Sequence, residues 1–238
     1  MIVRFGQSDK HSGLTGECRR ARADNPGYDP VTKTLTRGTA NSIGDRMSNA
    51  TTFALRTASF SDAVGIARVS VKSWQRAYRG IIPTETLQAM NVVRETVHWR
   101  RTLARGEGQR IFVIGDREAG IVGFATCGPS RRRSSRGEIY TLYLLPGVER
   151  QGLGRRLMAA CAEQLLADGY GQGCVWVLYA NHGARAFYER LGGELGARDV
   201  SLVDSSRLPV VRYDWADLHA LEETASGFID VALPTFLR

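Results

Sequence analysis

The sequence predicts an α/β (α+β) protein: one domain of alternating strands and helices behind a disordered N-terminal tail. Three observations predict it. From Phe53 onward, β-branched and aromatic runs of strand length alternate with apolar residues at helical spacing. A length of 238 residues suits one domain of ordinary size with some tail. Residues 1–50 are rich in Gly, Ser, Thr, Asn and Arg, and apolar residues such as Leu14 and Leu35 stand alone there. Such a stretch cannot bury enough surface to offset its ordering entropy. The expected layout is a tail over 1–50, a domain over 51–220 and an unpatterned tail over 221–238. Met47 stands just before the first patterned residues and is the expected natural start. The rival is a basic arm, since residues 1–46 hold eight Lys and Arg against five acids.

Each element has a local cause. Phe53–Arg56 reads as a short first strand. Ser61–Asp62 offers an N-cap to a helix carrying Val64, Ile66, Ala67, Val71 and Trp74, which Gly80 breaks. Pro83 suits the first turn of a second helix, and residues 91–104 give a third. Residues 110–115 and 120–127 read as strands joined by a hairpin turn at Asp116–Glu118. Residues 137–145 are a strongly β-prone run ended by Pro146–Gly147. An amphipathic helix then places Leu153, Leu157, Cys161 and Leu165 at four-residue steps until Gly169. Residues 174–179 read as a strand. Asn181 caps a helix with Ala184, Phe187, Tyr188 and Leu191 on one face, stopped by Gly192–Gly193. Strands near 194–203 and 209–215 finish the domain.

Composition narrows the function. Lys plus Arg is 32 against 24 acids, a net charge of +8, and 29 of the cations are Arg. That balance favours anionic partners such as phosphate esters. No apolar run reaches about 18 residues, so no membrane partner is expected. No basic start precedes an apolar stretch either, and a cytoplasmic location is the expectation. Cys18, Cys127, Cys161 and Cys174 lack metal-type spacing and the four histidines are scattered, so no metal is expected.

The chemistry concentrates at Gly152-Leu153-Gly154, between a strand and a helix. Glycine lets a ligand approach the backbone, and the free N–H groups of the helix's first turn, with the helix dipole behind them, point at an anion. This is a pyrophosphate cradle. The third glycine of a dinucleotide fingerprint is missing and no Gly-Lys-Ser/Thr follows, so neither a Rossmann site nor a P-loop fits.

Three features occur together and in order: the strand ending Leu142-Tyr143-Leu144, the segment Arg150-Gln151-Gly152-Leu153-Gly154-Arg155, and Asn181 followed seven residues later by Tyr188. Over residues 52–218 the chain resembles the GNAT superfamily of acetyl-CoA-dependent N-acetyltransferases. The resemblance implies a mixed, mostly antiparallel central sheet flanked by helices. It implies an enzyme that moves an acetyl group from acetyl-CoA, its co-substrate, to a primary amine by direct attack in a ternary complex. By position, it implies that the backbone of Leu142, Tyr143 and Leu144 binds the pantetheine arm like an added strand. Arg150, Gln151, Gly152, Leu153, Gly154 and Arg155 would bind the pyrophosphate. Asn181 would contact the pantetheine or acetyl end, and Tyr188 would lie near the sulfur. Tyr188 also shares an apolar face with Ala184 and Leu191, as a core aromatic would. The family usually has Gln or Arg three positions before the first glycine; here Glu149 stands there, offset by Arg150, Arg155 and Arg156.

An amine with a pKa of about 10.4 is almost wholly protonated at neutral pH, so a base must take a proton. Glu138 precedes Gly152 by fourteen residues, the spacing at which histone-acetylating members of the superfamily place their base. It reads equally as a strand-end carboxylate facing water. The base position of ribosomal-protein N-terminal acetyltransferases, five residues before the Asn, holds Trp176. Trp74, Tyr78 and Arg79 are expected to wall the acceptor side. Arg131, Arg132, Arg133 and Arg136 read as a solvated loop, as help with an acidic substrate, or as a contact to the CoA 3′-phosphate. Two other functions stay in view. One is a sensor that binds CoA without turnover. The other, a nucleic-acid-binding module, has no base-reading motif and no aromatics interleaved with its cations in support. The acceptor amine's identity and a homodimer are left open.

Overall fold

Strand-forming runs and amphipathic helices assemble around one sheet in the computed structural model, which describes residues 53–106, 108–132, 135–203 and 206–227. The expected N-terminal tail, Met47, Cys18 and Arg133 lie outside those residues. Seven strands run β1 (Ala54–Thr57), β2 (Arg110–Asp116), β3 (Gly120–Pro129), β4 (Gly137–Leu144), β5 (Gly173–Leu178), β6 (Glu194–Val203) and β7 (Ser206–Trp215). Their order in the sheet is β1-β2-β3-β4-β5-β7-β6. Every neighbouring pair is antiparallel except β4 with β5, which is the mixed, mostly antiparallel sheet the resemblance implied.

Both faces of the sheet are covered, and β2 shows why. Ile111 and Val113 meet Ile66, Ala67 and Val69 of α1 (Ala63–Ala77) and Trp99 of α3 (Val92–Arg105). Phe112 and Ile114 join the opposite core with Leu157, Met158, Cys161 and Leu165 of α4 (Leu153–Ala167). A strand apolar on both faces is one buried on both faces. A short α2 (Thr84–Ala89) follows α1, and Leu87 packs with Trp74, Tyr78 and Trp176 in a smaller cluster. The remaining cysteines, Cys127, Cys161 and Cys174, are buried free thiols.

Two sequence expectations are corrected and one is refined. Asp62 is the N-cap of α1, as the Ser61–Asp62 pair suggested, but a 3₁₀ turn at Phe60–Asp62, itself capped by Ser59, precedes the helix. Ser59 N–H and Oγ donate to Asp62 at 2.7 and 2.9 Å, and Arg56 donates to both Asp62 oxygens at 2.6 and 2.8 Å. These partners, Arg56 first, hold the Asp62 carboxyl down at about 2. Next, β7 starts at Ser206, three residues earlier than expected. Finally, residues beyond 220 are not all tail: α6 (Leu218–Ser226) buries Leu218, Leu221 and Ala225 in the α4 core. Its signals were Asp217, whose side chain accepts from His219 N–H, and apolar residues at i, i+3 and i+7.

Candidate active site

The site exists because one pair of strands parts. β4 and β5 pair only at Gly137–Gly173, Glu138–Cys174 and Ile139–Val175. The cause is visible on the other edge of β4, where Thr126 pairs with Thr141 but Cys127 pairs with Ile139, leaving Tyr140 as the extra residue of a bulge. Past the bulge lies a cleft of about 700 Å³, walled by residues 140–144 of β4 and 175–177 of β5. Leu145 N–H donates to Val122 at 2.7 Å. By the alternation of an antiparallel strand, Leu142 and Leu144 therefore turn their N–H and C=O groups away from β3, toward the cleft. Ser73 of α1 already occupies one of these groups, donating through Oγ to the Leu144 carbonyl at 2.7 Å.

One end of the cleft is an anion-binding turn. Gly147, Arg150 and Gly152 have φ of 95°, 62° and 78°, and Arg150 is the one non-glycine residue at positive φ among the described residues. Left-handed residues set close together aim successive N–H groups into a concavity that fits an anion. α4 begins immediately after, with Gly152 at its N-cap and no side chain capping it, so its first N–H groups are left for a ligand. Gly154 is glycine for packing: a Cβ there would stand 3.3 Å from the Phe187 ring. Glu149, the departure from the family pattern, accepts from Gly147 N–H at 2.6 Å and lies 3.6 Å from Arg76 Nε. Its charge is held within the turn.

The arginines divide differently from the sequence expectation. Arg155 lines the cleft, but its guanidinium donates to the Thr224 and Ala225 carbonyls at the end of α6. Arg156 donates to the Phe53 carbonyl at 2.9 Å. Arg150 is exposed on the cleft wall. Gln151, beside it, is exposed as well.

At the other end, phenols converge. Tyr188, on α5 (His182–Arg190), lines the cleft while packing edge-on against Phe187 at 5.4 Å and Trp215 at 6.1 Å. It is both a core aromatic and a cleft residue, and burial pushes its hydroxyl pKa up. Asn181 Oδ1 accepts from Ala184 N–H at 3.2 Å, capping α5 as its spacing suggested, and its side chain lines the cleft with Tyr78. Trp74 packs edge-on against Tyr78 at 4.8 Å and stands 6.5 Å from the Tyr143 ring. Burial raises both phenols, so both are neutral. Of the expected acceptor wall, Tyr78 lines the cleft together with Tyr143, whereas Trp74 packs behind them. Arg79 stands apart, in an outer depression with Lys72 and Arg76.

Glu138 does not line the cleft, and the water-facing alternative is corrected: the residue is 2% exposed. It sits on the last paired stretch before the strands part. Its carboxylate accepts from Arg131 N–H at 3.0 Å and from Ser130 Oγ at 3.2 Å. Burial raises its pKa, against the pull of Arg131 and Ser130. Two residues carried no sequence signal: Ser73, a polar residue on the buried face of α1, and Tyr140, whose bulge opens the cleft.

A parted β4/β5 pair, an uncapped glycine-led helix and a phenol across the cleft define an acyl-transfer fold, and comparison with known proteins agrees. A sequence model of the Acetyltransferase (GNAT) family matches residues 71–193. The Bacillus subtilis (strain 168) protein described as uncharacterized N-acetyltransferase YuaI is 36% identical over 170 residues, covering 71% of this chain and 95% of the relative. Two solved structures share the fold. PaiA N-acetyltransferase from Thermoplasma acidophilum, in complex with coenzyme A, is 16% identical, with a TM-score of 0.56 over 69% of this chain and 99% of its own. Ribosomal-protein-alanine N-acetyltransferase from Brucella melitensis is 20% identical, with a TM-score of 0.53 over 68% and 98%. The chain belongs to the GNAT acetyltransferase family and is an acyltransferase. No helix among the described residues is long and apolar enough to cross a membrane.

Proposed function

We propose that this enzyme transfers an acetyl group from acetyl-CoA to a primary amine while both are bound. The observation that carries the reading is the continuity of one cleft, from an uncapped helix N-terminus at Gly152 to the Tyr188 phenol. The residues suit the co-substrate. The N–H groups of the Arg150–Arg155 turn would hold the diphosphate, and outward groups of Leu142 and Leu144 would pair with the amides of the pantetheine arm as a strand would. The Tyr143 backbone belongs to the same edge, and Leu153 seats the turn by burying its side chain in the α4 core. Gln151 borders the turn. The Arg155 guanidinium serves as the turn's anchor to α6, leaving its backbone N–H to the ligand. Asn181 and Tyr78, which share the cleft wall, would face the acyl end.

In the reaction, the amine nitrogen's lone pair attacks the thioester carbon and the C=O pair moves onto oxygen. An N–H near Leu144 holds that developing oxyanion. Collapse re-forms C=O and breaks the C–S bond, releasing a thiolate. A thiol pKa near 8.5 against a phenol near 10 makes full proton transfer from Tyr188 uphill by roughly 1.5 units, or about 2 kcal/mol. Burial raises Tyr188 further, so its role is a hydrogen bond that strengthens as sulfur gains charge. Glu138 takes the amine's surplus proton through water, since its carboxylate stands behind the cleft wall. Calorimetric titration of folded protein with acetyl-CoA tests the foundation: saturable binding is expected, and none at millimolar donor overturns the proposal. Release of CoA thiol that depends on added amine is the expected second result, and it separates turnover from mere sensing.

A further inference from the structure

The acceptor end of the cleft carries a second kind of chemistry. Two of its wall residues are aromatic rings with a guanidinium lying on each. Arg131 lies 4.0 Å from the Tyr140 ring centroid, and Arg132 lies 4.4 Å from that of Trp176. Arg212 approaches the same Trp176 ring at 5.7 Å. The expected solvated loop is thus laid over two rings of the cleft wall, with Arg131 and Arg132 exposed at its rim rather than lining the cleft. Rings fix the planes of these cations and leave their N–H edges free to meet an oxyanion in bidentate fashion.

The neighbouring acids only partly neutralise them. Asp199 pairs with Arg132, and Asp214 pairs with both Arg136 and Arg212. Arg131 has no carboxylate salt-bridge partner among the described residues. The acid that acts on it is Glu138, which is buried, takes the Arg131 backbone N–H and feels the guanidinium charge through space. The one acid on the cleft wall, Glu149, is held by Gly147 N–H and Arg76 at the opposite end. A second cationic group on an acceptor that reaches this rim would therefore face arginines, with no carboxylate among the cleft-lining residues free to take it.

We infer that the acceptor is an amine that also carries an oxyanion, a carboxylate or a phosphate, and that Arg131, fixed on Tyr140, is the residue that holds it. The inference rests on the acetyl-transfer reading above and adds the substrate class. Arg132, steadied by Asp199 and Trp176, borders the same spot. Polyamines and lysine-rich protein segments are disfavoured by the same charge balance.

A matched set of short primary amines tests this: β-alanine, phosphoethanolamine, β-alaninamide and 1,3-diaminopropane. Each is assayed for thiol release, and for binding to the enzyme–CoA complex by calorimetry. The expected result is a preference of at least about tenfold in kcat/KM, or in affinity, for an acidic member over the amide and the diamine. The ratio of β-alanine to phosphoethanolamine identifies which oxyanion is preferred. Arg131→Gln should raise KM for the acidic acceptor about tenfold, leaving KM for acetyl-CoA and kcat within about twofold. Arg131→Lys should recover part of that loss, because a point charge replaces the fork. Equal or reversed preference, absence of any binding or turnover of the acidic members by enzyme that saturates with acetyl-CoA, or an Arg131→Gln loss confined to kcat would each overturn the inference. Failure to saturate with acetyl-CoA would instead strike the acetyl-transfer reading, and this inference with it.

Discussion

The two ends of the cleft are built from different materials. The anion-binding end is made of backbone: a turn with left-handed residues at 147, 150 and 152 and the open N–H groups of α4, all within a few residues of sequence. The acceptor end is made of side chains brought from α1, β4, β5 and α5, with Tyr78, Tyr143, Trp176, Asn181 and Tyr188 lining it. The first end recognises a group common to every acyl-CoA. The second has no local motif and sets what the enzyme acts on. Chemistry shared by a family sits where the backbone supplies it, and selectivity sits where distant residues meet.

Substitutions at each end should separate these roles. The largest effect is expected at the phenol. Tyr188→Phe should lower kcat by about a hundredfold, with KM for acetyl-CoA changing less than about twofold, as steady-state kinetics on a turned-over acceptor would record. A similar loss in donor affinity would blur the contrast. Glu138→Gln comes next, with about a tenfold drop in kcat/KM. Because burial raises the Glu138 pKa, the wild-type acid limb of kcat/KM should lie above the ordinary glutamate range, and the variant should lose that limb. The linked stability has a definite sign. A carboxyl raised on folding favours the folded state at pH below its unfolded value and loses that contribution as pH rises through the folded one. The melting temperature of Glu138→Gln relative to wild type should therefore improve as pH rises from about 4 toward neutrality.

The backbone end should respond more modestly. Gly152→Ala places a Cβ at φ of 78° with open space around it, so the cost is conformational, about 1 kcal/mol. Donor KM should rise several-fold with kcat kept, read by thiol release. The smallest catalytic effect belongs to Arg155→Met. Its guanidinium serves α6, so the melting temperature should fall by a few degrees while donor KM moves less than about threefold. A tenfold rise would return Arg155 to direct phosphate contact.

The same contrast governs what could be read from the sequence. Helices α4 and α5 announced themselves through their apolar spacing, and the turn between β4 and α4 through its glycines. The cap of α1 at Asp62 was legible, but the 3₁₀ turn before it was not, because such a turn has no periodicity of its own. α6 was missed although it is as long as α5, because its buried stripe is only Leu218, Leu221 and Ala225. At the site, Asn181 and Tyr188 were found by their seven-residue separation. The burial of Glu138, the Ser73 bond to Leu144 and the laying of Arg131 on Tyr140 depend on how β3, β4 and α1 stack, which no short window of sequence contains.

Only three residue pairs join β4 to β5, and this has a consequence for how the molecule breathes. The sheet is close to two separate ladders, β1 to β4 and β5 to β6, zipped together at one corner. Amide protons of Leu142 and Leu144 should exchange rapidly with solvent deuterium in the free enzyme and slow sharply when a pantetheine arm bridges the gap. The donor would then act as a missing rung, coupling the two halves into one cooperative unit only while it is bound.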